Sequence, residues 1–307
     1  MFLRIGSVPL FILAAVLNAG EPVDKFSWIS EEIAPLNVIT VKASDGQTTV
    51  AVIRKPPGKG PFPAVIILHG GLVRISLDRL KDASLNTPAY SRLLAAGYIT
   101  VTPTFRDRQQ DPQTTGALTD CLAVVEHVRK MPDVGRDSIF LLGGSGGGSL
   151  VLEIVGETDV AAAAAGEPAT VLFTGMFTNK HSREELNTIM REPQRFFTVD
   201  LQRFTREKIN KIRAPILILH GDVHPLKKLN NEIVIPELLA AGKRLDLSYH
   251  PGAPHGFYFG AGPKEATWHA HEAVKSFFAR YQKTPPSPIA ATLIQWKPFP
   301  ARRAADQ

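Results

Sequence analysis

The sequence predicts an α/β fold, a doubly wound and mostly parallel sheet with helices on both faces. Five short runs are continuously apolar: AVIILHG (64–70), YITVTPT (98–104), SIFLLGG (138–144), AAAAAGEP (161–168) and PILILHGD (215–222). Strands covered on both faces read this way, whereas a half-exposed strand alternates. Helical patterns separate the runs, around residues 78–95, 116–130, 146–156, 229–241 and 264–281. Strands alternating with helices of this length imply right-handed crossovers in an open sheet. At 307 residues and 44 % hydrophobic content, the chain can bury one large core, so one catalytic-size domain is expected.

Taken in order, the chain opens with one early charge, Arg4, an uncharged apolar stretch from Ile5 to Leu17, and small residues at Ala19 and Gly20. That layout predicts a secretory signal over residues 1–20 and a secreted or periplasmic product with no stable membrane insertion after removal. Leu17 occupies the place where a small residue would precede Ala19, so an uncleaved anchor is the alternative. The catalytic-size domain is expected over residues 30–283. Within it, NVITVKA and TTVAVIRKP flank the turn SDGQ and read as an N-terminal antiparallel hairpin. Residues 169–213 are a long polar and aromatic excursion between two strands, helical in parts and expected to form a cap. RLDLSY supplies the last apolar strand, and residues 284–307 are a Pro-rich tail expected to be extended or disordered.

The balance of 35 Lys+Arg against 29 Asp+Glu gives a charge of +6, but the basic residues form no run longer than a pair. No nucleic-acid partner is expected. The single cysteine, Cys121, excludes an intramolecular disulfide and a thiolate metal cluster. Its helical apolar neighbours Leu118, Leu122, Val125 and Val128 make it a core thiol.

LLGGSGGGSL (141–150) carries the chemistry. Gly143-Gly144-Ser145-Gly146-Gly147 fits G-x-S-x-G, with a buried strand before it and the helical run SLVLEIVGE after it. A sharp strand-to-helix turn lifts the central hydroxyl to the carboxyl end of the sheet, and side chains on its neighbours would collide with strand and helix. A phosphate loop would need the Lys-Ser/Thr that is missing here. LHGG (68–71) ends an earlier strand, where the Gly70–Gly71 turn can offer a backbone N–H to an oxyanion, with Gly146 as the second donor. YHPGAPHGFYF (249–259) presents His255 in a loop before the last helix, in the chain position of a general base.

HGG, GGSGG, PILILHGD and PGAPHGF, in this order, resemble the α/β-hydrolase superfamily, and within it the branch shared by dienelactone hydrolases and the catalytic domains of prolyl oligopeptidases. The resemblance spans about residues 37–282. It implies ester or amide hydrolysis through a serine acyl-enzyme, with catalytic residues Ser145 and His255 and without metal or organic cofactor. Dienelactone hydrolases proper carry cysteine at the elbow, where this chain has serine.

The third member of the triad departs from the pattern. The family's G-x-x-D reads Gly221-Asp222-Val223-His224 here, and imidazole cannot serve as a permanent anion. Asp222, two residues earlier, is the first candidate for the acid; Glu167, after the alanine strand, is the alternative, followed by Glu232 or by no acid at all. His220, Asp222 and His224 alternate and invite a metal reading, but His220 belongs to the LHG pattern and no metal site is expected. Arg106, Asp107 and Arg108 are expected to form a surface ion-pair cluster, with a polar or anionic acyl pocket as the alternative, and Asp120 to cap or orient the helix below the elbow. His269 and His271 read as surface decoration.

The expected function is hydrolysis of a small-molecule carboxylic ester. The chain is little longer than a catalytic domain, which leaves no room for a peptide-gating propeller and ranks a prolyl oligopeptidase-like peptidase second. A non-catalytic ligand-binding homologue is the reading from a different class, motivated by the histidine at 224.

Overall fold

The computed structural model describes residues 25–260 and 262–299; the segment read as a signal lies outside them. Ten strands occur among these residues: β1 (Lys25–Trp28), β2 (Asn37–Lys42), β3 (Thr48–Arg54), β4 (Phe62–Leu68), β5 (Ile99–Pro103), β6 (Val134–Gly144), β7 (Ala162–Gly166), β8 (Ile216–Gly221), β9 (Leu245–His250) and β10 (Gln295–Pro298). Eight of them form one sheet in the order β2-β3-β5-β4-β6-β7-β8-β9. From β5 to β9 every pairing is parallel, and the β2–β3 hairpin adds an antiparallel edge.

The continuous apolar runs are explained by what covers them. Ile66, Leu68 and Leu141 point into one core, while Val65, Ile67, Phe140 and Leu142 point into a second core on the opposite face. Both faces of β4 and β6 are therefore dry, and each large side chain so buried contributes about 1.5–3 kcal/mol. The helices are α1 (Leu77–Asn86), α2 (Pro88–Ala95), α3 (Gly116–Arg129), α4 (Gly146–Glu157), α5 (Thr170–Phe173), α6 (Arg183–Arg191), α7 (Pro193–Phe196), α8 (Val199–Lys211), α9 (Leu226–Leu229), α10 (Ile235–Ala240) and α11 (Lys264–Ala279). Residues of α3, α4, α8 and α10 pack in the first core; α2 and α11 cover the second. The helical pattern over 78–95 divides in two because Pro88, at the first position of α2, cannot donate into a continuing helix.

The excursion between β7 and β8 folds into α5 to α8, which lie against α4 and the α9–α10 segment. A π-turn over Asn230–Val234 joins α9 to α10. Pro236 lacks the N–H that would bond the Glu232 carbonyl, and that carbonyl accepts Gln194 Nε2 of α7 at 2.8 Å instead. The helix defect is thus a docking point for the excursion.

The Pro-rich tail is not a free appendage as far as Phe299. Its start is held by Ser138 Oγ, which accepts the Lys283 and Thr284 N–H groups at 2.9 and 2.7 Å. Ile289 donates its N–H to the Ala95 carbonyl and is itself buried, and β10 pairs antiparallel with β1 in a separate two-stranded sheet. Composition missed this because the ordering comes from contacts made across the chain rather than from any period in the tail. Gly97 (φ +94°) is where the tail passes closest: a Cβ there would stand 2.4 Å from the backbone of Ser287.

Candidate active site

Ser145 stands between β6 and α4 with φ 52° and ψ −119°. A non-glycine residue in that region costs on the order of 1–3 kcal/mol and persists only where its surroundings hold it. They do: the Ser145 N–H bonds the Gly166 carbonyl at 2.9 Å, and the Ser145 carbonyl accepts Ser149 N–H at 3.0 Å and Ala169 N–H at 2.9 Å. The flanking glycines are steric requirements. A Cβ on Gly146 would stand 2.4 Å from the Gly71 carbonyl oxygen, and one on Gly147 would stand 2.4 Å from that of His69.

Those contacts bring the two candidate oxyanion donors side by side. Gly71 has φ +81°, and its N–H bonds no described residue; Gly146 opens α4, where the first N–H groups have no partner within the helix. His69 fixes the loop from behind, stacked on Phe105 with ring centres 4.1 Å apart and its Nδ1 2.9 Å from the Gly70 carbonyl. Burial pushes the His69 imidazole below its ordinary range.

The carboxylate that meets His255 is Glu167. Its Oε2 lies 3.1 Å from His255 Nδ1 and accepts the Gly256 N–H at 2.8 Å. The His255 contact is close but off the line of an ideal hydrogen bond. Glu167 is 1 % exposed and His255 30 %, which leaves the imidazole able to reach a substrate. Glu167 sits one residue beyond β7, and its own φ of 40° is the second strained non-glycine conformation of the described chain. Glu167 N–H bonds the Leu219 carbonyl at 2.8 Å. Asn230, fully buried, donates Nδ2 to the Pro168 carbonyl at 2.9 Å and accepts the Thr170 hydroxyl, which pins the turn that follows. Since Gly144 and Gly166 pair across β6 and β7, Ser145 and this carboxylate leave the sheet at the same level on adjacent strands.

Asp222, the first candidate for the acid, is exposed, and its Oδ1 accepts the Gly252 N–H at 2.6 Å. It braces the start of the loop that carries His255 and is not the group against the imidazole. Glu232 pairs with Lys228 on the surface of the helical segment. His224, at the family's acid position, lies face to face with His255, ring centres 4.5 Å apart and planes at 28°. His220 is fully buried below.

Two residues given no part in the site by the sequence reading, Tyr258 and His271, tie the site together. Tyr258, three residues after His255, donates its hydroxyl to the Gly166 carbonyl at 2.9 Å. A Cβ on Gly144 would stand 1.9 Å from that hydroxyl oxygen, so the loop that carries His255 is locked under the elbow by a ring that fits only against glycine. His271 is not surface decoration: it is buried, its Nε2 lies 2.6 Å from the Tyr258 carbonyl, and burial lowers its pKa to about 3. The aromatic run GFYF after His255 was the available signal for the first. The second needed the docking of α11.

The Arg106–Arg108 segment divides likewise. Arg106 pairs with Asp45 and with the buried Asp120, which also accepts the Arg106 N–H at 2.8 Å. Arg108 is buried rather than on the surface, bound to Glu153 at 3.2 Å and to the Pro112 carbonyl at 2.8 Å. Both guanidinium groups are engaged in holding α3 and α4.

The prolyl oligopeptidase family model matches residues 102–284. Comparison with curated proteins finds no match. Among solved structures, brefeldin A esterase, a bacterial homologue of human hormone-sensitive lipase, aligns with 17 % identity and a TM-score of 0.60 over 87 % of this chain and 81 % of its own. The hyperthermophilic esterase from the archaeon Pyrobaculum calidifontis aligns with 20 % identity and a TM-score of 0.58 over 80 % of this chain and 83 % of its own. Puromycin hydrolase aligns with 20 % identity and a TM-score of 0.60 over 81 % of this chain but 39 % of its own. At such identities the likeness establishes the α/β-hydrolase fold, and the family match, covering well over half of the chain, establishes membership: the chain belongs to the prolyl oligopeptidase family of α/β-hydrolases.

Proposed function

We propose that the chain is an exported serine hydrolase that cleaves a carboxylic ester through an acyl-enzyme. The observation that carries this is the pair of strained residues on adjacent strands, Ser145 and Glu167, with His255 held against the second. In the proposed reaction His255 takes the Oγ proton as Ser145 attacks the ester carbonyl, and Glu167 stabilises the imidazolium so formed. The tetrahedral oxyanion is received by the N–H groups of Gly71 and Gly146. His255 then gives its proton to the departing alkoxide, which leaves as alcohol. A water molecule, deprotonated by His255, attacks the acyl-enzyme, and the acid is released with Ser145 restored.

Ester is favoured over peptide because the structural neighbours include an esterase acting on brefeldin A and one named as a bacterial heroin esterase. The family itself favours the second reading, a peptidase. A fluorophosphonate probe separates these from a non-catalytic homologue. Wild type should label and Ser145→Ala should not, and wild type that has not been exposed to the probe should hydrolyse a p-nitrophenyl ester faster than a prolyl p-nitroanilide. A folded wild type that stays unlabelled at neutral pH would sink the hydrolase reading; the reverse substrate preference would make it a peptidase.

A further inference from the structure

His224 breaks the G-x-x-D pattern, and its ring covers one face of the His255 ring at 4.5 Å. A flat partner at that distance restricts rotation of the His255 side chain to angles that keep its Nδ1 edge toward Glu167, 3.1 Å away. His224 is itself fixed, because its Nδ1 accepts the Leu226 N–H at 3.2 Å at the start of α9. That bond leaves Nδ1 without a proton, so the ring is neutral and carries its proton on Nε2. Burial and the neighbouring His255 both push the His224 imidazole below its ordinary range, against the opposite pull of Glu167. His255 therefore faces an uncharged aromatic surface. When His255 holds the serine proton it becomes a cation, and the face of a neutral aromatic ring is the side a cation prefers.

We infer that His224 is a positioning residue: stacked on His255, it orients the general base toward Glu167. The two tasks of a triad acid are thereby divided between two residues. Glu167 supplies the charge from the end of β7, and His224 keeps part of the orienting role at the position the acid vacated. A carboxylate at 224 would instead place a second anion beside Glu167. The inference rests on the serine-hydrolase reading given above.

Three variants separate stacking from the other bond His224 makes. His224→Asn and His224→Gln offer an acceptor to Leu226 N–H and no ring, whereas His224→Phe offers a ring and no acceptor. Steady-state ester hydrolysis is measured for each beside wild type, with thermal melting to establish that the variants fold. The expected result is a fall in kcat of about tenfold or more for the ringless variants with KM changed by less than about twofold, the pattern of a misoriented catalytic group. His224→Phe should stay within about threefold of wild type, since the ring face is kept. Wild-type kcat in the folded ringless variants overturns the proposal, and so does a loss in His224→Phe equal to theirs, which would make the Leu226 bond the important one. A wild type that neither labels with fluorophosphonate nor turns over ester sinks the hydrolase reading itself, whereas a labelled wild type with indifferent variants removes only the stacking role.

Discussion

His255 Nδ1 lies 3.1 Å from Glu167 Oε2, and Glu167 stands just past the strand that pairs with the strand leading into Ser145. Asp222 meets the Gly252 N–H instead. Glu167→Gln keeps the shape of the side chain and removes the charge that would stabilise an imidazolium, so kcat on a p-nitrophenyl ester is expected to fall by about 10⁴-fold, the scale of amide substitution of a triad acid. Asp222→Asn still accepts the Gly252 N–H and should leave kcat within about threefold of wild type, at a stability cost of about 1 kcal/mol or less. The reverse ranking of the two variants would return the acid to Asp222.

A second expectation concerns the contact between the elbow and the oxyanion loop. In Gly146→Ala the new methyl would stand 2.4 Å from the Gly71 carbonyl oxygen, and since that oxygen is backbone, the loop must shift. Helix propensity favours alanine over glycine by roughly 1 kcal/mol, which partly offsets the clash. The protein should therefore remain folded while kcat falls by on the order of 10²-fold, the scale of losing one oxyanion donor. A folded Gly146→Ala with wild-type kcat would show that the loop and the helix start do not act together.

How much of this was legible in the sequence follows the range of the interactions. The parallel sheet could be read because each buried strand advertises itself in consecutive residues, as Val65 to Leu68 do, and the elbow could be read because G-x-S-x-G is a local steric demand. The acid could not: Asp222 and Glu167 are both carboxylates just past the ends of strands, and only the register of β7 against β6 and the turn held by Asn230 aim one of them at His255. The same holds for the buried His271 and for the tail, whose partners, the Tyr258 carbonyl and β1, are remote in sequence.

The tail supplies a stability test. Ser138 Oγ accepts both the Lys283 and Thr284 N–H groups, so Ser138→Ala leaves two donors at the root of the tail without their acceptor. The expected cost is about 1–3 kcal/mol for an unsatisfied donor, lowering Tm by roughly 2–4 °C per kcal/mol, the shift for a large domain. Ester hydrolysis per folded molecule should not change. Removal of residues 284–307 should lower Tm further, since it also uncovers β1 and the buried Ile289 site. A truncated protein that melts with wild type would show that the tail merely rests on the surface.

Three histidines unused in the proposed reaction make stability depend on pH. His220 and His250 are pushed to about 4 and His271 to about 3, in each case first by burial. In the unfolded chain each would titrate near 6.5. Between pH 6.5 and about 4 the unfolded state therefore binds protons that the folded state refuses, and stability must fall as pH falls through that window. At pH 5 each histidine costs on the order of 2 kcal/mol, a serious loss against a typical total of 5–15 kcal/mol. Tm should fall by on the order of 10 °C between pH 7 and pH 5. His271→Gln should weaken that slope, because an amide can still donate toward the Tyr258 carbonyl and has no proton to gain. A Tm that holds steady from pH 7 to pH 5, or a His271→Gln variant with the wild-type slope, would mean that these rings are not kept neutral by burial.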